Sequence, residues 1–220
     1  MMRSLYSGVS GMRGFQTKMD VIGNNIANVN TVGFKSSRVM FKDILNQTIS
    51  GVTAPNDDGR GGINPKQIGL GVTIGSIDTV HTPGSAMVTN VATDLRLDGD
   101  GFFVVSPTGE VDNAYLTRAG SFLVDALGNL VNVDGMRVLD SEGEPIVLEG
   151  ITSFTISQDG EIIAINAENG TAEGTGIFIG VAKVTNPSGL EKIGGNLYRL
   201  TPNADEADAI DEILTTANDP

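Results

Sequence analysis

Between Leu5 and Val29 the larger apolar side chains fall at Leu5, Val9, Met12, Phe15, Met19, Ile22, Ile26 and Val29. Steps of three and four residues are what one face of an α-helix requires, so this stretch predicts a long helix with a single apolar seam. Gly8, Gly11 and Gly14 lie inside it. Each glycine costs about 1 kcal/mol relative to alanine in a helix interior, which leaves the helix marginal on its own. The seam therefore needs a partner. Either the helix lies on the rest of its own chain, or another chain or a further helical segment completes the seam. Glycines at a seam permit close backbone approach, which favours the second reading.

Thr31 and Gly33 are placed to end the helix, and residues 50–69, rich in Gly, Pro, Asn and Asp, read as a loop or extended hinge. From Leu70 to Thr201 the pattern changes to short β-prone runs: GFFVV, SFLVD, NLVNV, SFTIS, EIIAI and GIFIGVAKV. Turn pairs such as Asp98-Gly99, Gly128-Asn129, Asp134-Gly135, Asp159-Gly160 and Asn169-Gly170 separate them. Turn signals at roughly 8 to 12-residue intervals indicate an antiparallel sandwich or barrel. The expected fold is thus mainly β with a long N-terminal α-helix. Its divisions are an assembly helix over 1–34, an extended connector over 35–69, an outer β domain over 70–201 and an acidic tail over 202–220. At most a short helix is expected in that tail, around Ala207 to Leu214, closing nothing.

Charge and composition exclude several classes. The 220 residues carry a net charge of -13, against nucleic acid, whose phosphates recruit Lys and Arg. Residues 1–60 hold seven basic and four acidic side chains, a balance of +3, so residues 61–220 carry the remaining -16. The absence of cysteine removes disulfides, zinc knuckles and thiol chemistry. No apolar run reaches the ~18 residues of a membrane span, and the N-terminus lacks the apolar core and cleavage site of a signal peptide. Neither membrane insertion nor a cleaved leader is expected.

No constellation for catalysis stands out. RLDGDG, Arg96 to Gly101, resembles the start of a calcium loop, but arginine takes the first ligand position and Pro107 the twelfth, so it reads as a β-hairpin turn. GLGVTIG, Gly69 to Gly75, misses dinucleotide spacing by one residue and leads into a strand-like run. His81 is the sole histidine, which rules out a triad or a two-histidine metal site and suits a structural or exposed role. Carboxylate pairs such as Glu142 and Glu144 read as solvated turns. The expectation is a protein without catalytic residues, metal or cofactor.

Asn24, Asn25 and Asn28 share one helix face beside the seam, because residues three and four apart are neighbours. Water would tolerate Lys or Glu there; burial would not, whereas amides pair with each other and with backbone. The stretch reads as a second face buried in an assembly, or as caps that end the helix, the latter suiting Asn28 and Asn30 better.

The segment SLYSGVSGMRGFQTKMDVIGNNIANVNTVGFKSSRVMF, Ser4 to Phe41, resembles the N-terminal signature of bacterial flagellar rod and hook proteins. Its hallmark motif supplies Asn24, Asn25, Asn28, Asn30, Thr31, Gly33, Phe34 and Lys35. LDGDGFFVV from Leu97, YLTRAGSFLVDALGNLV from Tyr115 and GLEKIGGNLYRLT from Gly189 extend the resemblance in order to Thr201. Its wording is most like the hook branch of Gram-positive-type flagella, with distal rod proteins as near relatives. The resemblance implies a hook subunit polymerising into a helical tube that transmits torque as a universal joint. A distal rod subunit is the rival, and a secreted β-domain hydrolase or sugar-binding module the rival from another class. Implied partners are copies of the chain, neighbouring rod and hook–filament junction proteins, and the flagellar export apparatus, which releases subunits uncleaved to the exterior. The resemblance also implies a C-terminal helix paired with the N-terminal one, and no such helix is expected in residues 202–220.

Overall fold

The structure is a computed structural model that describes residues 2–55, 59, 61–148, 153–165, 172–206 and 209–216. It divides into two compact units. One comprises Met1–Val29 with Ser36–Val80, the other Asn30–Lys35 with His81–Pro220.

In the first unit, helix α1 (Met2–Ala27) packs on an antiparallel ribbon of β1 (Ser37–Asp43) and β4 (Val72–Thr79). Ser37 stands opposite Thr79 and Asp43 opposite Val72, with a register shift between Met40 and Phe41. A second ribbon, β2 (Asn46–Ser50) with β3 (Lys66–Gly69), lies between them in sequence, and every residue of both strands is exposed. Within residues 35–69, where a connector is expected, β1, β2 and β3 are paired strands. Their β-branched residues, Thr48 and Ile49 among them, suit that pairing.

The second unit holds twelve further strands among its described residues: β5 (Phe102–Ser106), β6 (Tyr115–Thr117), β7 (Phe122–Val124), β8 (Leu130–Asn132), β9 (Arg137–Val138), β10 (Ser153–Ile156), β11 (Glu161–Ile165), β12 (Ala172–Phe178), β13 (Gly180–Ala182), β14 (Glu191–Gly194), β15 (Leu197–Arg199) and β16 (Leu214–Thr216). The main sheet runs β14-β15-β6-β5-β9-β8-β7, with β13 also on β5 and β16 on β13; β10, β11 and β12 form a separate antiparallel sheet. The calcium-like segment Arg96 to Gly101 is not a hairpin turn. It is a loop ahead of β5, pinned by an Arg96–Asp98 ion pair at 2.6 Å. Asn169-Gly170 falls outside the described residues.

β5 is buried along its whole length. Because side chains alternate across a sheet, its residues divide between two cores. Phe102 and Val104 join Leu116, Leu139, Ala182 and Tyr198, while Phe103 and Val105 join Phe122, Leu130, Val138 and Ile179. A continuous apolar run is what a strand covered on both faces needs.

The tail differs from expectation. Ile210 and Ile213 lie on a 3-10 turn, are buried in the first of these cores, and are followed by β16, which pairs with β13. Residues three apart eclipse on such a turn, so two isoleucines suffice to seat an otherwise acidic segment. Replacing Ile213 by Ala is therefore expected to lower the stability of the second unit by about 2 kcal/mol, read from its denaturation midpoint. A tail that closed nothing would leave that midpoint unmoved.

Candidate assembly interface

The side of α1 that meets the ribbon is its small and polar side. Ser7, Ser10, Gly11, Gly14, Thr17, Val21 and Asn25 are partly or fully buried, Gly14 most of all. A Cβ at position 14 would lie 2.8 Å from the Phe41 ring, so glycine sets how near helix and ribbon approach. The Ser10 hydroxyl donates to the Ser7 carbonyl at 2.8 Å and accepts from the Val72 amide at 3.3 Å. The seam points elsewhere. Leu5, Val9, Met12, Phe15, Met19, Ile22 and Ile26 are all exposed, from 38% at Ile22 to 68% at Ile26. Phe15 alone keeps a ring contact with the ribbon, 5.6 Å between its centroid and that of Phe41.

Val29, the last seam position, lies beyond the helix and is 76% exposed. Just past the end of the helix at Ala27, Asn28 Nδ2 donates to the Asn24 carbonyl at 2.9 Å and to Asn24 Oδ1 at 2.6 Å, and its backbone amide donates to the same carbonyl at 3.1 Å. Asn25 does different work. Its Nδ2 donates to the Ser37 carbonyl at 2.8 Å and its Oδ1 accepts from the Ser37 amide at 3.0 Å, the double bond a neighbouring strand would make. The amide face is thus used within the chain, at the start of β1, and the expectation that it awaits an assembly does not hold for Asn25.

Asn30, Thr31, Gly33, Phe34 and Lys35 form a strap that belongs to the second unit. Gly33 has φ +73°, and a Cβ there would lie 2.5 Å from the Ala119 nitrogen, so only glycine fits. Asn196 Nδ2 donates to the Val32 carbonyl at 2.9 Å and Lys192 Nζ to the Lys35 carbonyl at 2.9 Å. The Lys35 ammonium is buried and donates to the Thr82 carbonyl at 2.7 Å. Lys192 Nζ also lies 5.2 Å from the Phe34 ring centroid.

Beside the strap, the rings of His81, Phe102 and Tyr198 pack with centroids 5.6 to 5.8 Å apart. The Arg118 guanidinium covers Phe102 at 4.8 Å and donates to the Gly99 carbonyl at 2.7 Å. Burial, then the charge of Arg118, holds Lys35 below the ordinary lysine value, and burial lowers Lys192. Burial also lowers Arg118, against the pull of Asp100 and Tyr198. Burial raises the Tyr198 phenol to about 12, with Arg118 opposing. His81 is lowered to about 4 by burial and then by Arg118, Lys35 and Lys192, with the Pro187 carbonyl drawing it the other way. The His81 imidazole is thus neutral near pH 7. The cation cluster around it escapes sequence reasoning because Lys35, Arg118 and Lys192 are far apart in the chain. Only their places in the motifs NTVGFK, YLTRAG and GLEKIGG mark them.

Residues 5–35 match the family described as flagella basal body rod protein, and residues 96–164 match the flagellar hook protein FlgE/F/G D1 domain. The flagellar basal-body rod protein FlgG of Bacillus subtilis is 49% identical over 213 residues, 96% of this chain and 78% of the relative. FlgG of Agrobacterium fabrum is 36% identical over 91% of this chain and 75% of the relative. The flagellar hook protein FlgE of Borreliella burgdorferi is 54% identical over 67% of this chain but only 34% of its own length. The chain belongs to the flagellar hook and rod protein family, whose members are structural components of the flagellum.

Two substitutions test this geometry. Asn25→Ala removes the two hydrogen bonds that its amide makes to Ser37 and is expected to cost about 1–2 kcal/mol in the first unit, read by chemical denaturation. Gly33→Ala is expected to cost at least about 2 kcal/mol in the second, because strain at positive φ adds to the clash with Ala119.

Proposed function

We propose that the chain polymerises through the exposed face of α1 into the helical tube of the flagellar hook, a joint that bends while passing torque from rod to filament. One observation carries this reading: the helix already spends its small face on the ribbon and leaves most of its apolar seam exposed. An apolar stripe of this length on a soluble surface marks an interaction site. Copies of the chain, and a helical segment pairing with α1, are its partners, with rod and hook–filament junction proteins at the two ends of the tube. Subunits reach the growing end through the flagellar export apparatus without cleavage. The β unit then faces outward, where the -16 balance of residues 61–220 keeps neighbouring surfaces hydrated and their contacts easily broken as the tube bends.

A distal rod subunit is the second reading, and the extent of the relatedness favours it: 78% of the Bacillus subtilis rod protein is covered, against 34% of the Borreliella hook protein.

Ile22→Asp or Ile26→Asp is expected to abolish tube formation in electron micrographs while the melting transition of the β unit stays in place, since a charge in the seam is desolvated on assembly. Loss of that transition would mean that the seam serves its own chain. For hook against rod the measurement is flexural stiffness of assembled tubes. A hook tube changes stiffness with ionic strength, because surface repulsion is screened beyond ~8 Å at physiological salt. Straight, rigid tubes indifferent to salt assign the rod.

A further inference from the structure

Within the second unit, three cations converge on the chain's single histidine, and two stretches of chain are anchored beside it. The strap 30–35 and residues 81–82 are joined where Lys35 Nζ donates to the Thr82 carbonyl at 2.7 Å. That carbonyl belongs to the residue after His81. Holding the imidazole in place therefore holds the acceptor on which the Lys35 ammonium depends.

The imidazole is held by packing alone. It lies 5.7 Å from the Phe102 ring and 5.8 Å from the Tyr198 ring, and neither ring nitrogen, though buried, makes a hydrogen bond of good geometry. A neutral ring tolerates this site. A charged one would meet Lys35 from the strap, Arg118 from the turn after β6 and Lys192 from β14, with the Tyr198 phenol of β15 uncharged. Among the described residues the Asp100 carboxylate acts on Arg118, and the Pro187 carbonyl favours a proton on His81.

We propose that His81 is an acid-sensitive latch: as a neutral imidazole it keeps the Thr82 carbonyl on the Lys35 ammonium and the strap on the β domain, and protonation drives the ring out and lets the strap go.

The sign follows from linkage. The latched form takes up a proton only near pH 4, while a released imidazole takes it up near its ordinary value of about 6.5. Acid therefore favours the released form. The latch is fully set above about pH 6.5 and weakens as pH falls toward 4. With these two values, opening is favoured about twentyfold more at pH 5 than at pH 7. At pH 5 ordinary carboxylates are still mostly ionised, so their protonation does not explain the change.

The test uses the full chain, with hydrogen exchange followed in peptides spanning 30–36 and corrected for the intrinsic pH dependence of exchange. Opening should rise about twentyfold from pH 7 to pH 5, and His81→Phe, which keeps a ring between Phe102 and Tyr198, should remove the rise. His81→Gln is a second neutral control should the phenylalanine variant not fold. The imidazole of the unaltered chain, followed by NMR, should titrate near pH 4. An unchanged opening between pH 7 and pH 5, an equal rise in the neutral variants, or an imidazole titrating above about pH 6 would each overturn the latch.

Discussion

Gly14, where a Cβ would lie 2.8 Å from the Phe41 ring, sets how closely α1 approaches its ribbon in the first unit. A helix rotates to bury whichever face allows the closest packing with its neighbour. Here the ribbon accepts a face without bulk, Ser7, Ser10, Gly14 and Thr17 among its members. The usual arrangement of an amphipathic helix is thereby inverted, with small polar residues inward and large apolar residues outward. The glycines that weaken α1 as an isolated helix are the residues that let it dock. Helix propensity is given up for close approach, and most of the apolar seam stays exposed.

Asparagines do at the end of α1 what strands and caps do elsewhere. Asn28 donates to the Asn24 carbonyl, and Asn25 offers Ser37 a donor and an acceptor together, so β1 begins against a side chain as if against a strand. A lysine or glutamate at position 25 could supply one half of that pair and would place a charge at the partly buried helix–ribbon junction. At position 25 an amide therefore has an intramolecular use that a charged side chain could not fill.

Much of the fold is legible in the sequence because its elements are local. The three- and four-residue spacing marks α1, and the runs GFFVV, SFLVD, NLVNV and EIIAI become β5, β7, β8 and β11, with glycines 128, 135 and 160 at positive φ in the turns between strands. What the sequence hides depends on contacts between distant residues. Strand pairing inside the connector, the burial of Ile210 and Ile213, and the rotation of α1 about its own axis are all decided by partners far along the chain. The seam itself is visible as a pattern; which way it faces is not, because periodicity reports that a helix has two faces without saying which one is docked. The cations about His81 are hidden for the same reason. Lysine, arginine and histidine scattered over more than a hundred and fifty residues have no spacing to recognise.

Three cations clustered with backbone carbonyls would be costly on a neutral domain, since desolvation opposes charge and like charges oppose one another. The surroundings help to offset this. Residues 61–220 carry -16, and the field of so many surface carboxylates lowers the potential where the cations sit. Burial nonetheless prevails locally, as the lowered values of Lys35, Arg118 and Lys192 attest. The strap is thus fastened by charges held slightly against their preference, with geometry supplied by carbonyls and faces of rings. Such a fastening is directional and depends on each neighbour staying in place. Gly33 at the backbone of Ala119, Phe34 beneath Lys192 and His81 between two rings are therefore parts of one arrangement, in which a single added charge is the most disruptive change available.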